Sequence, residues 1–387
     1  MRQYGIPTFV SLLIAIISYG QSDDPNPTFP EFRIYLSKDR LRNLQSQDGN
    51  KIDLSQALLL LNQDTVVLKE MHSRGRTTLT FVRKSLSVDL DKAVTITSST
   101  GSIKIKKFDL LNLVMDKNLW HNRWAFMNLA ELGLFPLFNT YCKLWINDQP
   151  QGIYLLVEKP NHYTATMKSP YMIRRGAELK IDQEYLHSSS KVEVRPFKEQ
   201  YMSLYKNLHR YQHQELFLYL QDRLNLTSYF RWLAFNYFVM NGDYSDEVYF
   251  YVHPDSGKFE IIPWDYDDLF RREPHEGAHV RQAQLKDRLV FSLEDDLDRK
   301  IASDDVLYTR YRVDFKQVLL DRDPELLQRT FDQVLHELES ISNDPTMNAA
   351  SRFLDKHPFV LEQAKEDLRV AANFLHNQRI VLLKALE

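Results

Sequence analysis

The order of its hydrophobic periodicities constrains this chain most. Up to about residue 160 apolar residues alternate or gather in short β-branched runs. Phe32, Ile34 and Leu36 alternate with Arg33 and Tyr35, Thr65-Val66-Val67-Leu68 lies within 64–74, and a further strand is expected over 78–90, beyond a turn at Arg74-Gly75-Arg76. From about residue 198 the period lengthens to that of a helix. Leu327, Phe331, Val334 and Leu338 recur at 4-3-4 spacing, and Leu361, Ala364, Leu368, Ala371 and Leu375 at 3-4-3-4. Strands first and helices later predict an α+β fold, with a β-rich lobe over about 31–160 and a helical lobe over about 161–387. Glycine points away from parallel α/β folds. It occurs only 11 times in 387 residues, and neither GxGxxG nor GxxxxGK[ST] is present, so the phosphate turns of dinucleotide and P-loop proteins are missing.

Within this frame Ser37 caps a short helix carrying Leu41 and Leu44, and a helix is predicted over about Asp116–Leu132, stopped by Gly133. Two hairpins follow. Tyr141–Ile146 returns through Asn147-Asp148-Gln149-Pro150 into Gly152–Glu158. Val248–Val252 returns through Pro254-Asp255-Ser256-Gly257 into Phe259–Pro263. Between them an apolar helix is expected to start near Thr227 and to end at Asn241-Gly242, with Gly242 in the left-handed closing position. Cys142, the one cysteine, falls in a strand and is expected to be buried.

The formal net charge of −3, with no basic stripe, argues against a nucleic-acid partner. Arg2, the apolar run Ile6–Ile17 and Ser18-Tyr19-Gly20 read as a signal peptide over 1–20, followed by a polar, proline-rich linker over 21–30. The run is shorter than the roughly 20 residues a spanning helix needs, no later segment is apolar enough, and no cysteine adjoins the cut. A secreted or periplasmic protein without an integral membrane segment is expected. Nothing in the sequence sets an oligomeric state.

The chemistry concentrates between residues 241 and 268. Carboxylates crowd the 26 residues from Asp243, among them Asp243, Asp246, Glu247, Asp255, Asp265, Asp267 and Asp268. The second hairpin runs out and back, so Asp243 and Asp265 end at the same edge, and Asp265 and Asp267 share a face if the strand continues. Converging carboxylates repel unless a cation sits between them or one holds a proton, and magnesium, usually held by one or two carboxylates plus substrate phosphates, suits them. Phosphates also need fixed cations, and Arg74, Arg76, Arg83 and Lys84 gather around one turn. Lys84 shares strand parity with Leu86 and Val88; Arg83 takes its place if the register slips by one. A basic strand residue, then a helix, then an Asp after a buried helix, then a metal-binding Asp is the order of parts in protein kinases.

Taken together these segments resemble the spore coat protein H (CotH) kinase family. The resemblance rests on Arg74-Gly75 with Arg83-Lys84-Ser85, Trp120-His121-Asn122-Arg123 with Leu132-Gly133-Leu134, and Trp145-Ile146-Asn147 with Gly152–Glu158. It continues through Asn241-Gly242-Asp243 and Ile262-Pro263-Trp264-Asp265-Tyr266-Asp267. It implies an atypical protein-kinase-like fold that transfers a phosphoryl group from ATP to Ser or Thr of a protein substrate, with magnesium, or manganese in its place. On that resemblance Asp243 is the catalytic Asp and Asp265, with Asp267, holds the metal. Lys84, with Arg83 and Arg74, meets the phosphates, and Glu158 closes the hairpin where a nucleotide-binding hinge would sit. One departure bears on activity: Asp246-Glu247 stands where the family often has Asn. The alternatives from other classes are a non-catalytic secreted or cell-surface binding protein on the same fold, and a calcium-stabilised module.

Overall fold

The structure is a computed structural model that describes residues 27–46, 57–98, 101–176, 180–187, 191–275, Gly277, 288–353 and 358–387; the proposed signal peptide and most of the linker lie outside them. The first half contains β1 (Glu31–Tyr35), α1 (Lys38–Gln45), β2 (Leu58–Leu61), β3 (Asp64–Val66), β4 (Leu68–Arg74), β5 (Ser85–Ser98), β6 (Gly101–Leu111), α2 (His121–Glu131), β7 (Asn139–Ile146) and β8 (Gln149–Glu158). Their eight strands form one sheet in the order β3-β2-β1-β7-β8-β6-β5-β4, and only the β1–β7 pairing is parallel. Next come α3 (Pro160–Thr166), β9 (Tyr171–Arg174), β10 (Gln183–Leu186), α4 (Lys191–Lys206), α5 (His213–Gln221), α6 (Leu226–Val239), β11 (Val248–Val252) and β12 (Phe259–Pro263), whose four strands make a second sheet in the order β10-β9-β11-β12. The chain finishes with α7 (Asp296–Ser303), α8 (Asp305–Asp321), α9 (Pro324–Ser342), α10 (Pro345–Phe353) and α11 (Leu361–Ala385). The fold is α+β, β-rich at the N-terminal end and helix-rich at the C-terminal end.

Two apolar cores flank the large sheet, and β8 shows why its sequence is apolar without alternation. Tyr154 and Leu156 enter a small core with Phe32, Val88, Ile105 and Cys142, whereas Ile153, Leu155 and Val157 enter the large core shared with the helices and the second sheet. A strand covered on both faces reads as a continuous apolar run. Cys142 is fully buried. The hairpin from β7 to β8 turns on Asn147 and Asp148, both at positive φ (49° and 59°), a two-residue turn whose twist matches that of its strands.

Several local expectations change. The strand expected over 78–90 begins only at Ser85, because Thr77–Thr80 forms a 3-10 turn beneath Gly75. The helix expected from Asp116 starts at His121, after a separate turn at Lys117–Leu119. Helix α6 starts after Asn225, whose side chain accepts a hydrogen bond from Ser228 N, and it ends on Met240 at φ 52°, not on Gly242. Gly242 is needed for a different reason. A Cβ there would clash with the Asp268 carboxylate and lie 2.9 Å from Arg271 Cγ.

Candidate active site

The second hairpin gathers the acids as its register requires. Val248 faces Pro263, and Trp264 N donates to Glu247 O at 2.9 Å, so the residues before β11 and after β12 leave together. The end of α6 then runs beside the acidic segment. Phe270 N donates to Val239 O, Arg271 N to Met240 O and Gly242 N to Asp268 O, each at 3.0 Å, and His275 N donates to Gly242 O at 3.1 Å. Asp243 is thereby set against Asp268, with His275 Nδ1 3.2 Å from Asp243 Oδ1 and His275 Nε2 3.0 Å from Asp268 Oδ2. Asp265 and Asp267 do not share a face by strand alternation: the strand stops at Pro263 and Asp265 takes φ 46°. A turn aims both into the same cleft.

The start of α2 holds that turn from the other side. Asp116 Oδ1 accepts from His121 N and Oδ2 from Asn122 N, each at 2.8 Å, and Asn122 Nδ2 donates to Asp116 Oδ2 at 3.1 Å. Asn122 Oδ1 in turn accepts from Tyr266 N at 2.8 Å, and His121 Nδ1 lies 3.2 Å from Asp267 O. Two residues of the Trp120–Arg123 motif therefore clamp the backbone that carries the acids. The third, Arg123, is fully buried, makes two bonds to Glu337 of α9 at 2.7 and 2.8 Å, and bonds Asn139.

Arg74, Gly75, Thr78, Asn112, Asp116, Asn122, Trp264, Asp265 and Asp267 line a cleft of about 450 Å³. Gly75 sits at φ 103°, and a Cβ on it would overlap the Thr78 hydroxyl, which bonds Arg74 O at 3.2 Å. Arg74 bonds Asp109 at 2.8 Å and lies over the Trp264 ring at 5.4 Å. The neighbouring cations are engaged elsewhere. Arg83 is fully buried, donates to the carbonyls of Asn112 and Ile153 and stacks on Tyr154 at 4.6 Å; Lys84 gives its ammonium to Leu79 O. Neither is among the residues lining this cleft. Glu158 is buried at the end of β8, where His162 Nδ1 meets it at 2.7 Å, and it too is absent from the cleft wall. The second cation near Asp265 is one that sequence reasoning missed: Arg174, at the end of β9, pairs with Glu247 and donates to Asp246 O at 3.2 Å. Glu247, at the position where charge near the phosphates was a concern, is thus neutralised within the protein.

The electrostatics of the cleft call for a cation. Burial raises the Asp265 carboxyl, while Arg174 and then Arg74 pull it down. Asp267 is pushed well above the usual carboxylate range by burial, and Asp265, Asp116, Glu247 and Asp268 add repulsion. Burial also lifts Asp116, to about 7, against the N–H groups of Asn122 and His121. Asp243 is raised by burial; His275 opposes this, and Asp246, Asp265 and Asp268 add to it. Two crowded, partly buried carboxylates are a hard-oxygen donor set of the size magnesium takes from protein, its other ligands being water and phosphate. The residues present fit that ion. Among the described residues no three His, Cys, Asp or Glu side chains form a protein-only metal cage, and no described helix is long and apolar enough to cross a membrane.

The crystal structure of a Helicobacter pylori proinflammatory kinase, CtkA, is similar over 77% of this chain and 94% of its own, at 13% sequence identity and a TM-score of 0.35. No curated protein matches the chain. The family described as CotH kinase protein matches residues 71–379, most of the chain and all of the cleft just described, and the chain belongs to that family.

Proposed function

We propose that this protein is a magnesium-dependent atypical kinase that transfers the terminal phosphoryl group of ATP to a Ser or Thr hydroxyl of a protein substrate. One observation carries the reading: Asp265 and Asp267 converge in a cleft walled by Arg74 and the Gly75–Thr78 turn. Asp265 and Asp267 would hold the metal, which when bound supplies positive charge to the phosphate oxygens. Arg74 offers a planar fork of donors to a phosphate. It is preferred to Lys84 and Arg83 for this role because their donors already serve backbone carbonyls. Positive φ at Gly75 lets backbone N–H groups approach a ligand without a side chain between. Asp243, half exposed, would accept the proton of the substrate hydroxyl. Glu158, held by His162, supports the strand end and need not touch the nucleotide.

The test uses purified protein, ATP and magnesium or manganese. Nucleotide at about 100 times its Kd should stabilise the fold by about 2.7 kcal/mol in thermal melts, and only with the metal. Labelled ATP should then label a generic protein acceptor. Metal-dependent binding without transfer would instead favour a non-catalytic binding protein on this fold, and calcium binding without nucleotide a structural module. Export is the companion proposal, supported by the apolar run at 6–17; the mature chain recovered from cells should begin at Gln21.

A further inference from the structure

The cleft leaves one well-placed contact outside the kinase order of parts. His275 reaches two carboxylates at once, Asp243 Oδ1 from Nδ1 at 3.2 Å and Asp268 Oδ2 from Nε2 at 3.0 Å. Nε2 is hydrogen-bonded to Asp268 and Nδ1 stands at ion-pair distance from Asp243, so a protonated ring would bridge both carboxylates. The far side of Asp268 is held too, by Arg271 Nε on Oδ1 at 2.9 Å. The backbone fixes the arrangement, since His275 N donates to Gly242 O and Gly242 N to Asp268 O. Asp246, Asp265 and Asp268 add negative charge around Asp243. His275 faces Asp243 directly, and both side chains remain about half exposed, 49% and 46%.

We propose that His275 is the positioning residue of Asp243: it holds Oδ1, keeps the carboxylate ionised among its acidic neighbours, and leaves Oδ2 to take the proton of the acceptor hydroxyl. This rests on the kinase reading given above. It accords with the upward push of burial on Asp243, which His275 opposes.

The experiment follows the Asp243 carboxyl by NMR in nucleotide-free protein and measures transfer against pH. In His275→Ala the Asp243 titration should move up by about one unit, the usual scale for loss of an adjacent opposite charge. The acidic limb of kcat should move with it, kcat should fall about tenfold or more, as it does when a partner orienting a reacting group is lost, and KM for ATP should hold. In His275→Gln the amide still donates, so kcat on the plateau should partly recover while the acidic limb stays displaced. An Asp243 titration that is the same in wild type and His275→Ala overturns the proposal, as does an unmoved acidic limb. A wild-type protein without transfer activity overturns the kinase reading separately, because the carboxyl titration needs no turnover.

Discussion

Arg74 and Arg83 carry the same guanidinium nine residues apart, and only their surroundings separate a ligand contact from a structural one. Arg74 spends its charge on Asp109 and keeps a face toward the cleft, whereas Arg83 is enclosed by the carbonyls of Asn112 and Ile153 and the ring of Tyr154. Arg74→Lys should keep the partner of Asp109 yet lose the planar fork, lowering metal-dependent nucleotide affinity about tenfold with little change in stability. Arg83→Lys should cost about 1–3 kcal/mol for each carbonyl left unpaired while affecting affinity less. Calorimetry and urea unfolding on the two variants separate these outcomes, and the same pattern for both would discard the distinction. The acids divide in a similar way. Asp265→Asn should abolish metal-dependent nucleotide binding, whereas Asp243→Asn should keep binding and lower transfer by about 10² to 10⁴, the usual share of a general base. Equal turnover in both variants would remove these assignments.

Among the elements, the β11–β12 hairpin was readable in advance because alternation, a Pro-Asp-Ser-Gly turn and acids just past an apolar frame all agree locally. The β7–β8 hairpin was readable for the same reason. Where local signals ended, so did legibility. Lys84 is nearly buried, but it precedes the strand, which begins at Ser85, and Arg83 beside it is buried as well, so strand parity does not decide where either side chain goes. Asp116 and Arg174 carry no periodic signal, and their partners are remote in sequence: Asp116 reaches the acidic turn only through Asn122 and Tyr266, 144 residues apart, and Arg174 meets Glu247 73 residues on. The Trp120–Arg123 motif was visible as a string of residues, but its purpose, an N-terminal helix turn clamping the backbone that carries Asp265 and Asp267, is tertiary. Asn122→Ala tests that clamp. It leaves Tyr266 N without its partner and removes one of the three donors to Asp116, so stability should fall by about 1–3 kcal/mol. Nucleotide affinity should fall as well, because the turn that aims Asp265 and Asp267 loses its tether. Unchanged affinity in a folded variant would show that the turn holds itself.

At the scale of the whole molecule, the two halves are joined by buried or partly buried charge pairs as well as by the large core: Arg123 with Glu337, Arg322 with Glu131, and Lys143 with Asp344. The helical half has its own polar centre. Arg175, fully buried beyond β9, meets Asp295 at 3.4 Å and Asp298 at 3.3 Å, with Tyr229 of α6 bonded to both Arg175 and Asp298. Arg175 reaches both carboxylates, whereas Lys180, 3.7 Å from Asp295, adds its charge on that side, so Asp298 is the carboxyl that favours holding a proton. Burial pushes Asp298 up to about 7; Arg175 opposes this and Asp295 adds to it. A carboxyl whose folded value lies above its unfolded 3.8 keeps a proton that the unfolded chain has already released. Between those two values the native state binds more protons, so its stability falls as pH rises through the window and levels off above about 7. Asp298→Asn keeps the shape and a donor and removes the titration. Urea unfolding of both proteins at pH 5, 6, 7 and 8 should give the wild type a steeper loss of stability toward pH 7 than the variant, with the difference between them constant beyond it. Parallel curves would mean that Arg175 keeps both carboxylates ionised throughout, and that the pH dependence of the fold arises at the cleft instead.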